Sequence, residues 1–295
     1  MFYLFPLLTV SIWAGNAIVN KLSFSVIDPG AISFYRWFVA MLVLTPFVLR
    51  SVWRNWSTIR PYIPKLAFLA LLGMVLNQSL GYFAAETTTA TNMALIISLV
   101  PLISMFLSVP LLGQRLLPLA IVGAVLSLAG LVLMLSHGDI SNLAAQGITI
   151  GDALLLLAAF VYALYCVLLK RWQMPLSIWQ SVYVQGVLAV LMLVPLLMGS
   201  ERVAITAESL PLIIYAAIPA SVIAPWCWMQ GIQRLGADRT AMFMNLMPVF
   251  TAGIASVILS EHLAAYHYIG GGMVLAGVVL AQRKPKAMAP QLATA

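Results

Sequence analysis

Residues 90–135 read ATNMALIISLVPLISMFLSVPLLGQRLLPLAIVGAVLSLAGLVLML, and Arg115 is the one charged residue in the stretch. Two apolar runs, 91–112 and 117–135, flank the break at Gly113-Gln114-Arg115. A helix rises about 1.5 Å per residue, so roughly twenty residues span a hydrocarbon core of about 30 Å. Each run therefore predicts one membrane-crossing helix, and the polar break between them predicts a short turn at the membrane surface.

The same pattern continues outward in both directions. Apolar runs lie at 3–20, 31–49, 64–84, 91–112, 117–135, 152–169, 177–198, 210–231, 240–259 and 264–282. Between them the chain is 63% hydrophobic and 8% charged, with a mean hydropathy of +1.03. A soluble domain needs about 25% charged residues to wet its surface, so the surface here must face lipid. The expected fold class is all-α integral membrane, with ten transmembrane helices. Met1-Phe2-Tyr3-Leu4-Phe5 lacks the basic start of a cleaved signal peptide, so the opening reads as the first span. Cys166 and Cys227 fall inside apolar runs and read as small buried hydrophobes.

The net charge is +7, but its distribution is a topology signal and not a nucleic-acid footprint. With the N-terminus in the cytoplasm, Arg50, Arg54, Arg60, Lys65, Arg115, Lys170, Arg171, Arg234, Arg239, Arg283, Lys284 and Lys286 all lie inside. Only Lys21 and Arg202 then lie outside, with Arg36 inside the second span. Twelve against two fits the positive-inside bias, and both termini are expected in the cytoplasm.

An internal repeat runs through the chain. Pro101 pairs with Pro248 at an offset of 147 residues, and at that offset Gly123 meets Gly270 and Gly130 meets Gly277. Ala94 with Ala241, Leu112 with Leu259, Leu116 with Leu263 and Ala129 with Ala276 follow. Earlier in the halves the offset is 149, pairing Lys21 with Lys170, Ala40 with Ala189, and Pro46 with Pro195. Five spans per half is an odd number, so the halves enter the membrane from opposite sides. Residues 1–143 are the first five-helix repeat, 144–284 the second and inverted one, and 285–295 a flexible cytoplasmic tail. Inverted repeats suit alternating access around a central site.

The segments Ala90–Leu135 and Ala237–Ala281 resemble the two EamA repeats of the drug/metabolite transporter superfamily. The resemblance rests on Pro101 and Pro248, the turn residues Gln114 and Glu261, and the glycines Gly123, Gly130, Gly270 and Gly277. Ile12-Trp13-Ala14-Gly15-Asn16 and Phe34-Tyr35-Arg36-Trp37 are similar to that family's first repeat. It covers roughly residues 3–282 and implies ten helices, a bacterial inner-membrane location and export of metabolites. The aromatic content most resembles YddG-type amino-acid exporters. The second half departs from the pattern where Gln185 stands opposite Arg36.

Lipid-facing helices have no use for amides, so amides within spans mark a protein- or water-facing side. Thr9, Trp13, Asn16 and Asn20 share one face of span one. Asn77, Gln78 and Tyr82 of span three, Tyr162 and Tyr165 of span six, Gln185 of span seven, Trp226 and Gln230 of span eight, and Asn245 of span nine complete a candidate substrate-binding set. Such an uncharged, amide-bearing, aromatic lining suits a small neutral or zwitterionic solute with an apolar side chain. Interhelical amide bonds are also common glue in membrane bundles, so each amide has a structural reading beside the functional one. Trp37, Trp53, Trp56, Trp172 and Trp179 lie near span ends and read as interface belt.

Arg36 is the one basic residue inside a span, and Glu86 at the outer end of span three is its candidate partner, for gating or helix pairing. It would otherwise attract a substrate carboxylate. Pro101 and Pro248 each remove a helical hydrogen bond and are candidate hinges; Pro219 and Pro225 distort span eight alone. No carboxylate lies near mid-span, which points to facilitated export without a buried-carboxylate proton relay; His267 is the one ionisable group that would offer another route. No HExxH, GxSxG or phosphate loop is present and the histidines are scattered, so no enzyme activity, metal or cofactor is expected. The longest loops are about a dozen residues, too short for a receptor domain. The partners expected are a small-molecule substrate, an amino acid or similar metabolite, and the lipid bilayer. A monomer is compatible with these features, which do not fix the oligomeric state. Drugs or other metabolites are the alternative cargo.

Overall fold

A computed structural model describes residues 2–114, 118–139, 149–235, 240 and 242–282. The boundary at 143/144, the tail 285–295, and Arg115, Leu116, Asp238, Arg239, Ala241, Arg283, Lys284 and Lys286 lie outside the described residues.

Helical rods follow one another along the chain, with no strand among the described residues. They are α1 (Leu4–Ser23), α2 (Pro29–Arg54), α3 (Trp56–Ala84), α4 (Ala90–Leu112) and α5 (Pro118–Leu135). Then come α6 (Ile150–Trp172), α7 (Ile178–Met198), α8 (Ser209–Leu235), α9 (Phe243–Ile258) and α10 (Ala265–Gln282). Seven of them, α2 to α8, are long and apolar enough to cross a membrane, while α9 and α10 are shorter apolar helices. The first helix falls short of that measure because Asn16, Asn20 and Lys21 dilute it.

Local chemistry sets the helix starts. Pro29 occupies the first position of α2 after an extended Asp28, where its missing N–H costs nothing. The Thr89 side chain caps α4 by accepting from Asn92 N, and Thr149 caps α6 by accepting from Asp152 N. At α7 the Ser177 and Gln180 side chains cap each other's backbone N–H in a capping box.

The outer surface is apolar as well as the core, as a lipid-facing surface requires. Phe47, Val125, Leu191, Met198 and Val257 all point outward, Val257 with 81% of its surface exposed. Inside, α2 and α7 pack together through Trp37, Met41, Leu44, Tyr183 and Leu193. Gly186 of α7 admits the Met41 side chain, which a methyl there would overlap. A second apolar cluster joins α4, α5, α6 and α10.

The tightest contact is the seam between α5 and α10. A methyl at Gly123 would strike the Gly277 carbonyl, and one at Gly130 would meet the Gly270 carbonyl at 2.5 Å. The backbones touch directly, which small residues alone permit. Midway along, Ser127 Oγ donates to Val274 O at 3.1 Å.

Four rods are irregular. A π-helical segment interrupts α3 at Leu71–Leu76 and α8 at Pro219–Ile223. Pro219 opens the π segment of α8, as its prolines led one to expect, whereas the π segment of α3 contains Gly73 and no proline. In α4 the helix breaks into a turn at Ser98 and Leu99, and Pro101 stands in the first turn of the continuing piece. The Met242–Leu246 segment of α9 is 3-10 helix, with Pro248 opening the α-helical part. Both matched prolines thus sit just beyond a break.

Candidate functional site

The π segment of α8 is where polar side chains from other helices converge. Trp13 of α1 donates its indole N–H to Ala220 O at 3.1 Å, and its ring lies 5.7 Å from that of Trp228. One turn away, Thr9 Oγ1 reaches Ala224 O at 3.1 Å. From α2, Arg36 Nε donates to Ser221 Oγ at 2.8 Å, and Ser221 Oγ in turn donates to Ala216 O at 2.8 Å. Arg36 Nη1 donates to Tyr82 OH of α3 at 3.4 Å. Four helices, α1, α2, α3 and α8, therefore meet around Ala220 and Ser221. Tyr215 OH donates to Ile12 O at 3.0 Å and lies against Gly15, closing α8 onto α1.

The amide face of α1 continues this cluster. Asn16 Nδ2 donates to Asn20 Oδ1 at 3.3 Å, and Asn16 Oδ1 is buried with no partner. Ser79, one turn from Tyr82 on α3, is a second buried side chain without a hydrogen bond. Asn77 and Gln78 are half-buried on the same helix.

A second group forms around the π segment of α3. Tyr162 and Tyr165 of α6 stack at 5.5 Å with 15° between planes, and Tyr165 lies on Gly73. Trp37 of α2 donates to Met74 O at 3.1 Å and is 6% exposed. Trp37 is thus no interface-belt residue, since its ring is rotated into the bundle. Trp53, 80% exposed, does face outward.

Other expectations separate from the cluster. Trp226 is 43% exposed and packs edge-on against Phe5, so it lies on the outer side of α8; Trp228 takes the place assigned to it. Glu86 is exposed and does not pair with Arg36, whose bonds go to Ser221 and Tyr82. Gln185 is buried on α7, donating to Ser181 Oγ at 2.8 Å with its Oε1 unpartnered. Gln230 and Asn245 are half-buried. The residues missed in sequence, Trp228 and Ser221, follow a visible signal: Ala217, Ala220, Ala224 and Gly231 mark the small-residue stripe of α8 that is buried.

The sequence pattern of the EamA-like transporter family matches residues 1–136 and 149–282. The chain belongs to that family. Its similarity extends to an uncharacterized transporter of Archaeoglobus fulgidus, 28% identical over 284 residues, covering 94% of this chain and 96% of the relative. An uncharacterized transporter of Bacillus subtilis, YyaM, is 27% identical and covers 93% of this chain and 92% of its own. A solved crystal structure shares the fold with a TM-score of 0.63 at 17% identity, covering 95% of each chain. This EamA-like protein is accordingly a multi-pass membrane transporter of the drug/metabolite transporter superfamily.

In this EamA-like transporter the described carboxylates sit at helix ends or in loops. Where α3 gives way to α4, the segment Thr87–Thr91 is held from three sides. Lys21 Nζ donates to Ala85 O at 2.6 Å and to Thr88 O at 2.8 Å. Glu261 accepts from Ala90 N at 2.7 Å and Thr91 Oγ1 at 2.7 Å. Asp152 accepts from Thr88 Oγ1 at 2.5 Å, and Gly151 N donates to Thr87 Oγ1 at 2.8 Å. Nearby loops are tied by Asp28 and Arg202, 2.8 Å apart. The Arg202 backbone N–H first, then that of Glu201 and the Arg202 guanidinium, hold the Asp28 carboxyl below its ordinary value. That tie is fully present above the ordinary carboxylate range and is lost only as pH falls through the lowered value. No group of His, Cys, Asp and Glu suited to a metal ion exists among the described residues.

Proposed function

We propose that this transporter exports neutral amino acids, aromatic and other apolar ones foremost, by alternating access between two inverted five-helix halves. The observation that carries the reading is the meeting of α1, α2 and α3 with the π segment of α8, where Trp13 packs on Trp228 and reaches Ala220 while Arg36 joins Ser221 to Tyr82. First-half helices there face a second-half helix, which is where alternating access needs its site. Indole rings suit an apolar side chain and amides suit a polar head. Gln78, Tyr162, Tyr165, Gln185, Gln230 and Asn245 are proposed as further lining in other states of the cycle.

Several features support the inversion. Residues 1–136 and 149–282 match one family pattern separately. Ser127 bonds to Val274, its own counterpart at the 147-residue offset. The contact of Gly123 with Gly277 becomes that of Gly270 with Gly130 when each residue is replaced by its counterpart. Helix neighbours exchange likewise: α6 packs on α3 and α4 as α1 packs on α8 and α9. In this reading residues 1–143 and 144–284 are the halves, ten helices cross the inner membrane, and both termini are cytoplasmic. Pro101 and Pro248 then serve as matched hinges, and the clasp on Thr87–Thr91 closes the outer side.

The test is flux of labelled phenylalanine, tryptophan, threonine and methionine into liposomes carrying the purified protein. Saturable flux is expected, reduced at least tenfold in Trp13→Ala, Asn77→Ala and Trp228→Ala, and within about twofold of wild type in Trp226→Ala. Absence of flux for every amino acid would overturn the substrate and move drugs or other metabolites to the front.

A further inference from the structure

Arg36 carries a charge that no carboxylate among the described residues pairs with, its guanidinium lying 5.9 Å over the Trp37 ring. It is the eighth residue of α2, about 10 Å inside the helix start at 1.5 Å per residue, and is 4% exposed. Its two hydrogen bonds go to neutral hydroxyls, Ser221 Oγ and Tyr82 OH. Its Nη2 makes none. The carboxylates that would ordinarily compensate it are committed elsewhere: Asp28 to Arg202, Asp152 to Thr88 and Thr149, Glu261 to the start of α4. A buried cation left in this way is unfavourable unless a counter-charge arrives.

We propose that Arg36 is the anion anchor of the transport site, taking the carboxylate of the transported solute. The inference rests on the transport reading above and narrows it to carboxylate-bearing solutes. Ser221 holds the guanidinium by its Nε edge, and the Ser221 proton is spent on Ala216 O, so the hydroxyl presents a lone pair to Arg36. That leaves the Nη1 and Nη2 end for the planar, two-pronged contact that guanidinium makes with carboxylate. The Tyr82 bond, at 3.4 Å, is the weak one that a carboxylate replaces. The neighbouring helices supply the complement. Asn16 Oδ1 and Ser79 Oγ are buried without partners, and both accept hydrogen bonds from an ammonium group. A cation on α2 with free acceptors on α1 and α3 is matched by an α-amino carboxylate.

The experiment measures thermal stabilisation and competition for flux with phenylalanine, phenylalaninamide, 3-phenylpropionate and 2-phenylethylamine. Wild type is expected to recognise phenylalanine and 3-phenylpropionate at least tenfold better than the amide or the amine. Arg36→Gln is expected to erase that preference, and Arg36→Lys to keep part of it. Equal recognition of acid and amide by wild type, recognition of none of the four, or an unchanged preference in Arg36→Gln overturns the anchor. If Arg36→Gln does not fold, the wild-type series alone decides. Recognition of 3-phenylpropionate without flux of any amino acid leaves the anchor standing and removes amino-acid export. Amino-acid flux with equal recognition of the amide does the reverse.

Discussion

Trp13 and Trp37 each donate an indole N–H to a carbonyl of a π-helical segment, at Ala220 and Met74. A π turn shifts the backbone ladder by one residue, and buried carbonyls there need partners supplied from outside the helix. Trp37→Phe removes the donor and shortens the ring by its five-membered half, so the lost hydrogen bond and the cavity together should cost about 1–3 kcal/mol. A lowered midpoint of thermal unfolding in detergent checks this, with exposed Trp53→Phe as the unchanged control. Counting residues from a span end gives depth but not rotation, which is why Trp37 reads as interface and lies buried. The same limit exchanged Trp226 for Trp228, two positions apart on nearly opposite sides of α8. Arg36 was legible as exceptional from its place in an apolar run. Its partner was not, because Ser221 is 185 residues away and only the packing of α2 on α8 brings them together.

Among the elements, the helices were legible because apolar runs of about twenty residues have few other ways to fold in lipid. Their irregularities were legible only where proline produces them. Pro101 and Pro248 announce the breaks in α4 and α9, whereas the π segment of α3 has no such marker, since an inserted residue leaves composition unchanged. The glycines of α5 and α10 were legible as a matched set in the repeat, and the seam places carbonyls where their side chains would be. Gly277→Ala should therefore destabilise by about 1–3 kcal/mol through overpacking. Gly272→Ala, with open space around it, should be neutral or slightly stabilising through helix propensity. Thermal unfolding of the two variants side by side measures the difference.

For the whole molecule, the charges fall in a pattern that a transport cycle must respect. Every described carboxylate lies in a loop or near a helix end, and the buried cluster holds a cation with hydroxyls and amides. Among the described residues no Asp, Glu or His belongs to that cluster, and the proposed cycle accordingly runs without a proton. Liposomes loaded with an inside-acid or inside-alkaline gradient should equilibrate labelled amino acid without accumulating it above the external concentration. Gradient-driven accumulation would return His267 to consideration. The two stretches that match the family, 1–136 and 149–282, were legible through matched prolines and glycines, where Leu and Ala matches mean little. Which end is fastened was not legible, because the grip of Lys21, Glu261 and Asp152 on Thr87–Thr91 joins residues from α1, α6 and the chain beyond α9.

The seam between α5 and α10 has one more consequence. Side chains can change rotamer and repack, but at Gly123, Gly130, Gly270 and Gly277 there are none between the helices to do so. One of the two rods lies in each stretch that matches the family, 1–136 and 149–282, and sliding either along the other would drive a carbonyl into a neighbouring Cβ. Pivoting about the point where Ser127 meets Val274 keeps the contact intact. In the proposed alternating-access cycle the seam would act as an axle, permitting the two matched stretches to rock and forbidding them to translate.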